Sequence, residues 1–436
     1  MLGLLLVGAA AVPVQAASTR EQQWFLDAMK AEQMWKTSTG KGITVAVIDT
    51  GVDPDNPDLK GRVLKGKDFA PDSRVGDEHT DYDGHGTGMA GLIAGTGKYG
   101  GGQGAFGLAP GADILPVRMP HPDEMGAFDG SGYFSKSIRY AANAGAKVIN
   151  ISMSGGYRNP ELTGAVRYAW SKGSLVFAGI GNDADKTHKV SELAATPGVV
   201  AVAAVGKNLR RAPFSQYGPE VDIAAPGVDM VHACGGKTGL CKTSGTSDAT
   251  ALASASAALI WSKHPTWTNN QVLRVMLNTI GAPTDGAKRN DSIGYGIVRP
   301  RVALQNPGDP GPADEYPLPD LAAAASAPPS PEPSSVTDAA EAPAKDKSAE
   351  ETSSDSKTNT SVWIAFGALS LVLLCGTAVV LVRKRRAANA AALFPTVTHS
   401  PGQPPSPAAG FPNAPHYPPP GSGSDIPPGR GPDAAV

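Results

Sequence analysis

Four short apolar runs rich in β-branched residues constrain this chain more than any other feature. They occupy 43–48, 148–151, 175–178 and 199–205. Helical patterning fills 86–95, 134–145, 161–172 and 248–263. Continuous apolar strands separated by helices predict an α/β domain whose central sheet is mostly parallel and covered on both faces. Reactive groups in such folds gather at the carboxyl ends of the strands.

Composition limits how much of the chain that domain can occupy. Of 436 residues, Gly 52 and Pro 39 make up 91, about a fifth, and many lie in the last third. A hydrophobic content of 41% excludes disorder throughout. The balance of 38 Lys and Arg against 40 Asp and Glu excludes a basic nucleic-acid surface as the dominant feature. Three Cys are too few for a disulfide framework.

The two ends read as targeting and anchoring segments. Residues 1–16 form an apolar run closing on small residues, the pattern of a signal peptide. Residues 362–382 carry no charge over 21 positions, enough for a transmembrane helix at about 1.5 Å per residue across roughly 30 Å. Arg383-Lys384-Arg385-Arg386 follow directly, so the expected topology is single-pass at the cell membrane, with the preceding domain outside and the tail in the cytoplasm. Residues 304–361, rich in Pro, Ala and acidic side chains, read as a solvated linker, and 383–436 as a disordered Pro-rich tail. The globular part is then 40–303, preceded by an extension, 17–39. The apolar residues Trp24, Phe25, Leu26, Met29, Met34 and Trp35 would anchor that extension to the domain surface.

Three segments carry chemistry. Asp49 closes the first apolar run, where a buried carboxylate needs a partner. His85 stands among glycines at the start of a helix of small residues and titrates in the range suited to a general base. Ser247 opens a helix made almost wholly of Ala, Ser and Leu, which must be buried. The free N–H groups and positive dipole end of that helix favour negative charge nearby. Taken singly, these are also a strand-end turn, a surface His and an N-cap Ser.

Together, Asp49-Thr50-Gly51, His85-Gly86-Thr87 and Gly245-Thr246-Ser247 resemble the subtilisin-like serine peptidases, in the Asp, His, Ser order of that family. The resemblance extends over roughly 40–300. It implies a three-layer subtilisin-like fold and an Asp49–His85–Ser247 triad that hydrolyses peptide bonds through an acyl-enzyme. It also implies Asn182 as oxyanion donor and Ser152, Met153, Ser154 and Gly155 as the strand that binds substrate backbone. Gly107–Ala112 and Phe214–Pro219 match structural segments of the family. Three positions depart from its pattern. Gly88 stands where a second His is usual, Ala251 where Pro is usual, and Asp248 replaces an apolar residue after the nucleophile, where its charge would oppose an oxyanion.

The layout as a whole resembles the mycosins, membrane-anchored proteases associated with type VII secretion in actinobacteria. Protein or peptide substrates and a type VII secretion membrane complex are the implied partners, with no nucleic acid. A role as a structural component of such a complex, with proteolysis dispensable, is the alternative. Only 49 − 16 = 33 residues separate the expected cleavage from Asp49, which leaves no room for a long inhibitory prodomain. Cys234 and Cys241, outside the membrane, should form a disulfide that stiffens the approach to Ser247. The glycine run 99–104 lacks a GK[ST] ending and reads as a flexible loop. The polar stretch 121–129, with His121, Asp123, Glu124 and Asp129, reads as a solvated loop; no metal site and no cofactor is expected.

Overall fold

The computed structural model describes residues 18–320, apart from 72–73, 122–123, 125–129, 154, 156–157 and 236–238. The expected signal peptide 1–16, transmembrane helix 362–382, tail 383–436 and most of the linker lie outside the described residues. Among the described residues, no helix is long and apolar enough to cross a membrane.

The strands are β1 (Thr44–Asp49), β2 (Lys67–Asp68), β3 (Asp113–Arg118), β4 (Val148–Ile151), β5 (Leu175–Gly179), β6 (Val199–Val205), β7 (Ile223–Pro226), β8 (Met230–Ala233) and β9 (Leu240–Thr243). The helices are α1 (Thr19–Gln22), α2 (Trp24–Met29), α3 (Ala31–Trp35), α4 (His85–Ala94), α5 (Tyr99–Gly102), α6 (Gly130–Asn143), α7 (Pro160–Ser171), α8 (Thr246–Lys263), α9 (Asn269–Asn278) and α10 (Pro300–Gln305). The four apolar runs are all strands, and the four predicted helical stretches are α4, α6, α7 and α8 within a few residues at each end.

Seven strands form one parallel sheet in the order β2-β3-β1-β4-β5-β6-β7. The order reverses direction at β1, whose neighbours are β3 and β4. Asp49 therefore emerges at the switch point, where flanking connections diverge and leave a crevice. Every residue of β4 and β6 is buried, the reason these strands read as unbroken apolar runs. Helices α4 and α8 pack on each other and on the sheet, and α6 and α7 form a second such pair. Gly86 lets α4 come close: a Cβ there would lie 2.1 Å from the Gly51 carbonyl oxygen.

Strand β3 escaped the sequence reading because Pro116, which has no N–H, interrupts it; it nonetheless pairs with β1, with Val47 opposite Pro116. The antiparallel hairpin β8–β9 is closed by the Cys234–Cys241 disulfide, with a Cα separation of 5.8 Å.

From residue 18 onward the extension is docked, as its apolar anchors require. Phe25, Leu26, Ala31 and Met34 are buried in the main core. The Trp24 indole donates to the Val228 carbonyl and that of Trp35 to the Leu108 carbonyl, each at 2.9 Å. The buried Gln23 amide bridges the Phe106 and Val231 carbonyls.

Two expectations are corrected. The glycine run 99–104 is pinned around the fully buried Asp58, whose two carboxylate oxygens accept the N–H groups of Tyr99 at 2.7 Å and Ala105 at 2.9 Å. Two charge-assisted backbone bonds order a loop that composition alone marks as free.

Nor does the linker become solvated at residue 304. Residues 306–320 form a strap along α9, whose Asn270, Gln271 and Arg274 side chains donate to carbonyls between Pro310 and Glu315. Tyr316 meets Trp170 edge-on at 5.7 Å, Leu318 is 1% exposed, and Asp320 accepts the Gly198 N–H at 3.0 Å. Gly198 precedes β6, so the strap ends at the amino edge of the sheet, opposite Asp49. Leu318→Ala should cost about 2–5 kcal/mol, the usual range for emptying a buried leucine site, and lower the thermal midpoint of a protein ending after residue 320. An unchanged midpoint would show that the strap does not pack.

Candidate active site

Asp49 is 0% exposed, at the carboxyl end of β1. Its Oδ1 accepts the Thr50 N–H at 2.8 Å and lies 2.7 Å from His85 Nδ1. Its Oδ2 is buried with no hydrogen-bond partner among the described residues. The carboxylate thus fixes the imidazole through one oxygen and leaves the far nitrogen, Nε2, to the cleft.

His85 is the first residue of α4 and its side chain remains 36% exposed, so solvent and substrate can reach it. The turn that presents it is built around Asp81, a residue the sequence reading passed over. Asp81 Oδ1 accepts the Thr50 hydroxyl at 2.7 Å and the Gly84 N–H at 2.9 Å. Its Oδ2 accepts the Thr87 N–H at 2.8 Å and hydroxyl at 2.6 Å. One carboxylate therefore ties the end of β1 to the first turn of α4, satisfying N–H groups that a helix start leaves open. A short acidic side chain a few residues ahead of a helix-opening His was the available signal.

The negative charge of Asp49 dominates the electrostatics of His85. Against the penalty of burial, Asp49, helped by Asp83, pushes the imidazole up to about 9. This is well above the ordinary value near 6.5, so the ring is cationic at neutral pH in the resting protein.

Ser247 is the second residue of α8. Its hydroxyl donates to the Ser152 carbonyl at 2.9 Å, and the Ser152 hydroxyl donates to the Ser247 carbonyl at 3.1 Å. With a single proton engaged at Ser152, this hydroxyl is not directed at His85 in the resting arrangement. A buried polar chain supports the pair. Ser254 Oγ donates to Asn150 Oδ1, and Asn150 Nδ2 donates to Ser152 Oγ, both at 3.0 Å. Asn150 lies on β4 and was not singled out from sequence, because its partner on α8 is 104 residues away.

Asn182 follows β5, its Oδ1 accepting the Thr246 N–H at 2.8 Å. That bond caps α8 and fixes which way the amide faces, leaving Nδ2 beside Gly245 with no hydrogen-bond partner among the described residues. Met153 is half-buried against the core, and Gly155 adopts φ 138° next to Phe134. Ser154 lies outside the described residues.

A pocket of about 550 Å³ opens beside His85, lined by Tyr82, Asp83, Gly84, Met89, Thr243 and the Cys234–Cys241 pair among others. The disulfide therefore forms part of the cleft wall. Asp248 is 2% exposed and hydrogen-bonded to the Thr243 hydroxyl, so its carboxylate turns into the protein. Among the described residues, no group of three or more His, Cys, Asp or Glu could hold a metal ion.

Comparison with known proteins gives a consistent picture. Residues 40–296 match the family described as the subtilase family. The chain is 40% identical over 230 residues to the thermophilic serine proteinase of Bacillus sp. strain AK1, covering 52% of this chain and 55% of that protein. It thus spans just over half the length of that relative. MycP1 from Mycobacterium smegmatis superposes with a TM-score of 0.58 at 28% identity, over 70% of this chain and 89% of MycP1. The MycP3 protease from the type VII (ESX-3) secretion system gives 0.55 at 30% identity, over 64% and 87%.

The Asp49–His85 pair makes a titration prediction. Because the folded value lies above the ordinary one, the pair's stabilisation is complete below about pH 6.5 and is lost as pH rises through about 9. NMR of the imidazole should show a midpoint far above 6.5, falling in Asp49→Asn. A midpoint near 6.5 in the parent protein would contradict the pairing.

Proposed function

We propose a function from one premise: the chain belongs to the subtilase family. It is a serine endopeptidase acting on protein or peptide substrates. The observation that carries this reading is the 2.7 Å contact between Asp49 Oδ1 and His85 Nδ1, on a helix packed against the buried helix that Ser247 opens.

In the reaction, substrate backbone lies along Ser152–Gly155. The Ser247 hydroxyl leaves the Ser152 carbonyl and turns to neutral His85, which takes its proton as Oγ attacks the scissile carbonyl. Asp49 holds the imidazole tautomer and stabilises the cation. Asn182 Nδ2 and the Ser247 N–H receive the developing oxyanion, which the helix N-terminus also favours. His85 then protonates the leaving amine, and water, deprotonated by the same imidazole, hydrolyses the acyl-enzyme. The raised His85 value is the resting one; it is the neutral fraction that reacts, so the rate rises with pH below the midpoint.

The chain is further proposed to be anchored by 362–382, with the peptidase domain outside the cytoplasmic membrane and residues 383–436 inside. The uncharged span and the Arg383–Arg386 stop support this. Association with a type VII secretion complex is supported by the likeness to MycP1 and MycP3, the latter a protease from such a system.

One observation favours a second reading, a structural role in that complex. The Ser247 hydroxyl is engaged by Ser152 rather than by the base. The readings separate in cells: secretion that survives Ser247→Ala but not loss of the whole chain assigns the essential role to scaffolding.

For the peptidase, a fluorophosphonate probe should label the protein at Ser247, and Ser247→Ala should lose roughly 10⁶-fold in turnover. Asn182→Ala should fold but fall about 10²–10³-fold in kcat, the range measured for loss of such a side-chain donor in subtilisin. Absence of labelling in folded protein, or unchanged turnover in Asn182→Ala, would remove the corresponding assignment.

A further inference from the structure

Two of the departures from the family pattern, Gly88 and Asp248, touch the same buried chain. His232 on β8 is 2% exposed. A Cβ on residue 88 would come within 2.7 Å of its Cε1, so Gly88 is what gives the ring room against α4. His232 Nδ1 lies 2.8 Å from the Ala233 carbonyl oxygen, and Nε2 lies 2.8 Å from Thr243 Oγ1. The same hydroxyl bonds to Asp248 Oδ1. Asp248 is bonded through the backbone to Ser247.

Counting protons along this chain fixes its state. A carbonyl oxygen only accepts, so Nδ1 must carry a proton. With a neutral ring, Nε2 is then an acceptor and the Thr243 hydroxyl must donate to it. Thr243 has a single proton, so its bond to Asp248 holds only if the carboxyl donates. The alternative keeps Asp248 ionised and makes the ring a cation that donates through Nε2. A neutral ring with an ionised carboxylate sets two acceptors against each other at one link and leaves a buried bond unmade, which is costly. Either satisfied arrangement holds one more proton than that pair.

Resting on the peptidase reading above, we propose that the His232–Thr243–Asp248 chain holds one proton, lodged on Asp248, and so positions the nucleophile without placing a charge beside the oxyanion. The location of the proton follows from burial. Both residues are 2% exposed, and desolvation pulls the His232 imidazole well below its ordinary value while pushing the Asp248 carboxyl above its own, so of the two satisfied arrangements burial favours the uncharged one. An ion pair at the observed 3.9 Å would need the cationic ring that burial opposes. The groups facing the chain are Thr243 from β9, Ala233 from β8, His85 from α4, and Gly245 and Asn182 at the head of α8. Of these only His85 is charged at neutral pH; its cation draws the Asp248 proton off, while desolvation retains it.

His232, Thr243 and Asp248 are positioning residues in this account, since none touches the reacting atoms. The structure also removes the electrostatic objection to an acidic residue after the nucleophile: a protonated carboxyl is neutral and points away.

The resting protein gives the first test, independent of activity. Nitrogen-detected NMR of His232 at neutral pH should show a neutral ring protonated at Nδ1, with Nε2 accepting a hydrogen bond. A cationic ring, or one protonated at Nε2, overturns the proposal while leaving the peptidase assignment untouched. The second test uses Asp248→Asn, whose amide N–H replaces the carboxyl donor. It should keep kcat/KM within about threefold of the parent, whereas Thr243→Val, which cuts the chain, should lose about tenfold or more. If Asp248→Asn loses as much as Thr243→Val, or fails to fold where Thr243→Val folds, the carboxyl is not the donor. Loss of fluorophosphonate labelling in the parent would instead strike at the peptidase reading.

Discussion

Helix α8 has to be buried, and a buried helix start has to have its N–H groups satisfied. Fifteen of its eighteen residues are buried, and no polar face runs along it. Its first turn therefore cannot rely on water and must be met by protein groups. Asn182 Oδ1 accepts the Thr246 N–H, Ser152 exchanges hydroxyl-to-carbonyl bonds with Ser247, and Thr243 holds the Asp248 side chain. The constraint that keeps the helix folded is the one that fixes the serine. The placement of Ser247 and the stability of the core here share the same bonds.

What sequence exposes and what it hides follows from the range of the interactions. Val148–Ile151 and Val199–Val205 were legible because burial on both faces demands apolar residues at every position. Asp49, His85 and Ser247 stood out together because the Asp-Thr-Gly, His-Gly-Thr and Gly-Thr-Ser segments that hold them resemble those of the subtilisin-like serine peptidases. Pro116 concealed β3, and the composition of 306–320 concealed a strap that is held mainly through its own backbone carbonyls. Such carbonyls have no residue signature, and the groups that grip them, Asn270, Gln271 and Arg274, read simply as a polar helix face.

The polar chains beneath the site were equally hidden. Ser254, Asn150 and Ser152 form one line, and His232, Thr243 and Asp248 another, but each joins residues that are distant in sequence. A serine among alanines or an asparagine in an apolar strand is a weak signal until its partner is known. Gly88 shows the reverse case. It reads as a missing histidine, yet the space it leaves is filled by another imidazole from β8.

The strap also decides where force enters the domain. Whatever follows Asp320 begins at the amino edge of the sheet, after a run of carbonyls held by α9 and a ring wedged on Trp170. A pull along that segment is borne first by α9 and the lead-in to β6. The loops bearing Asp49, His85 and Ser247 stand at the other end of the strands and are not in series with it. Tension applied there would strip the strap like a zip before it distorted the crevice at Asp49.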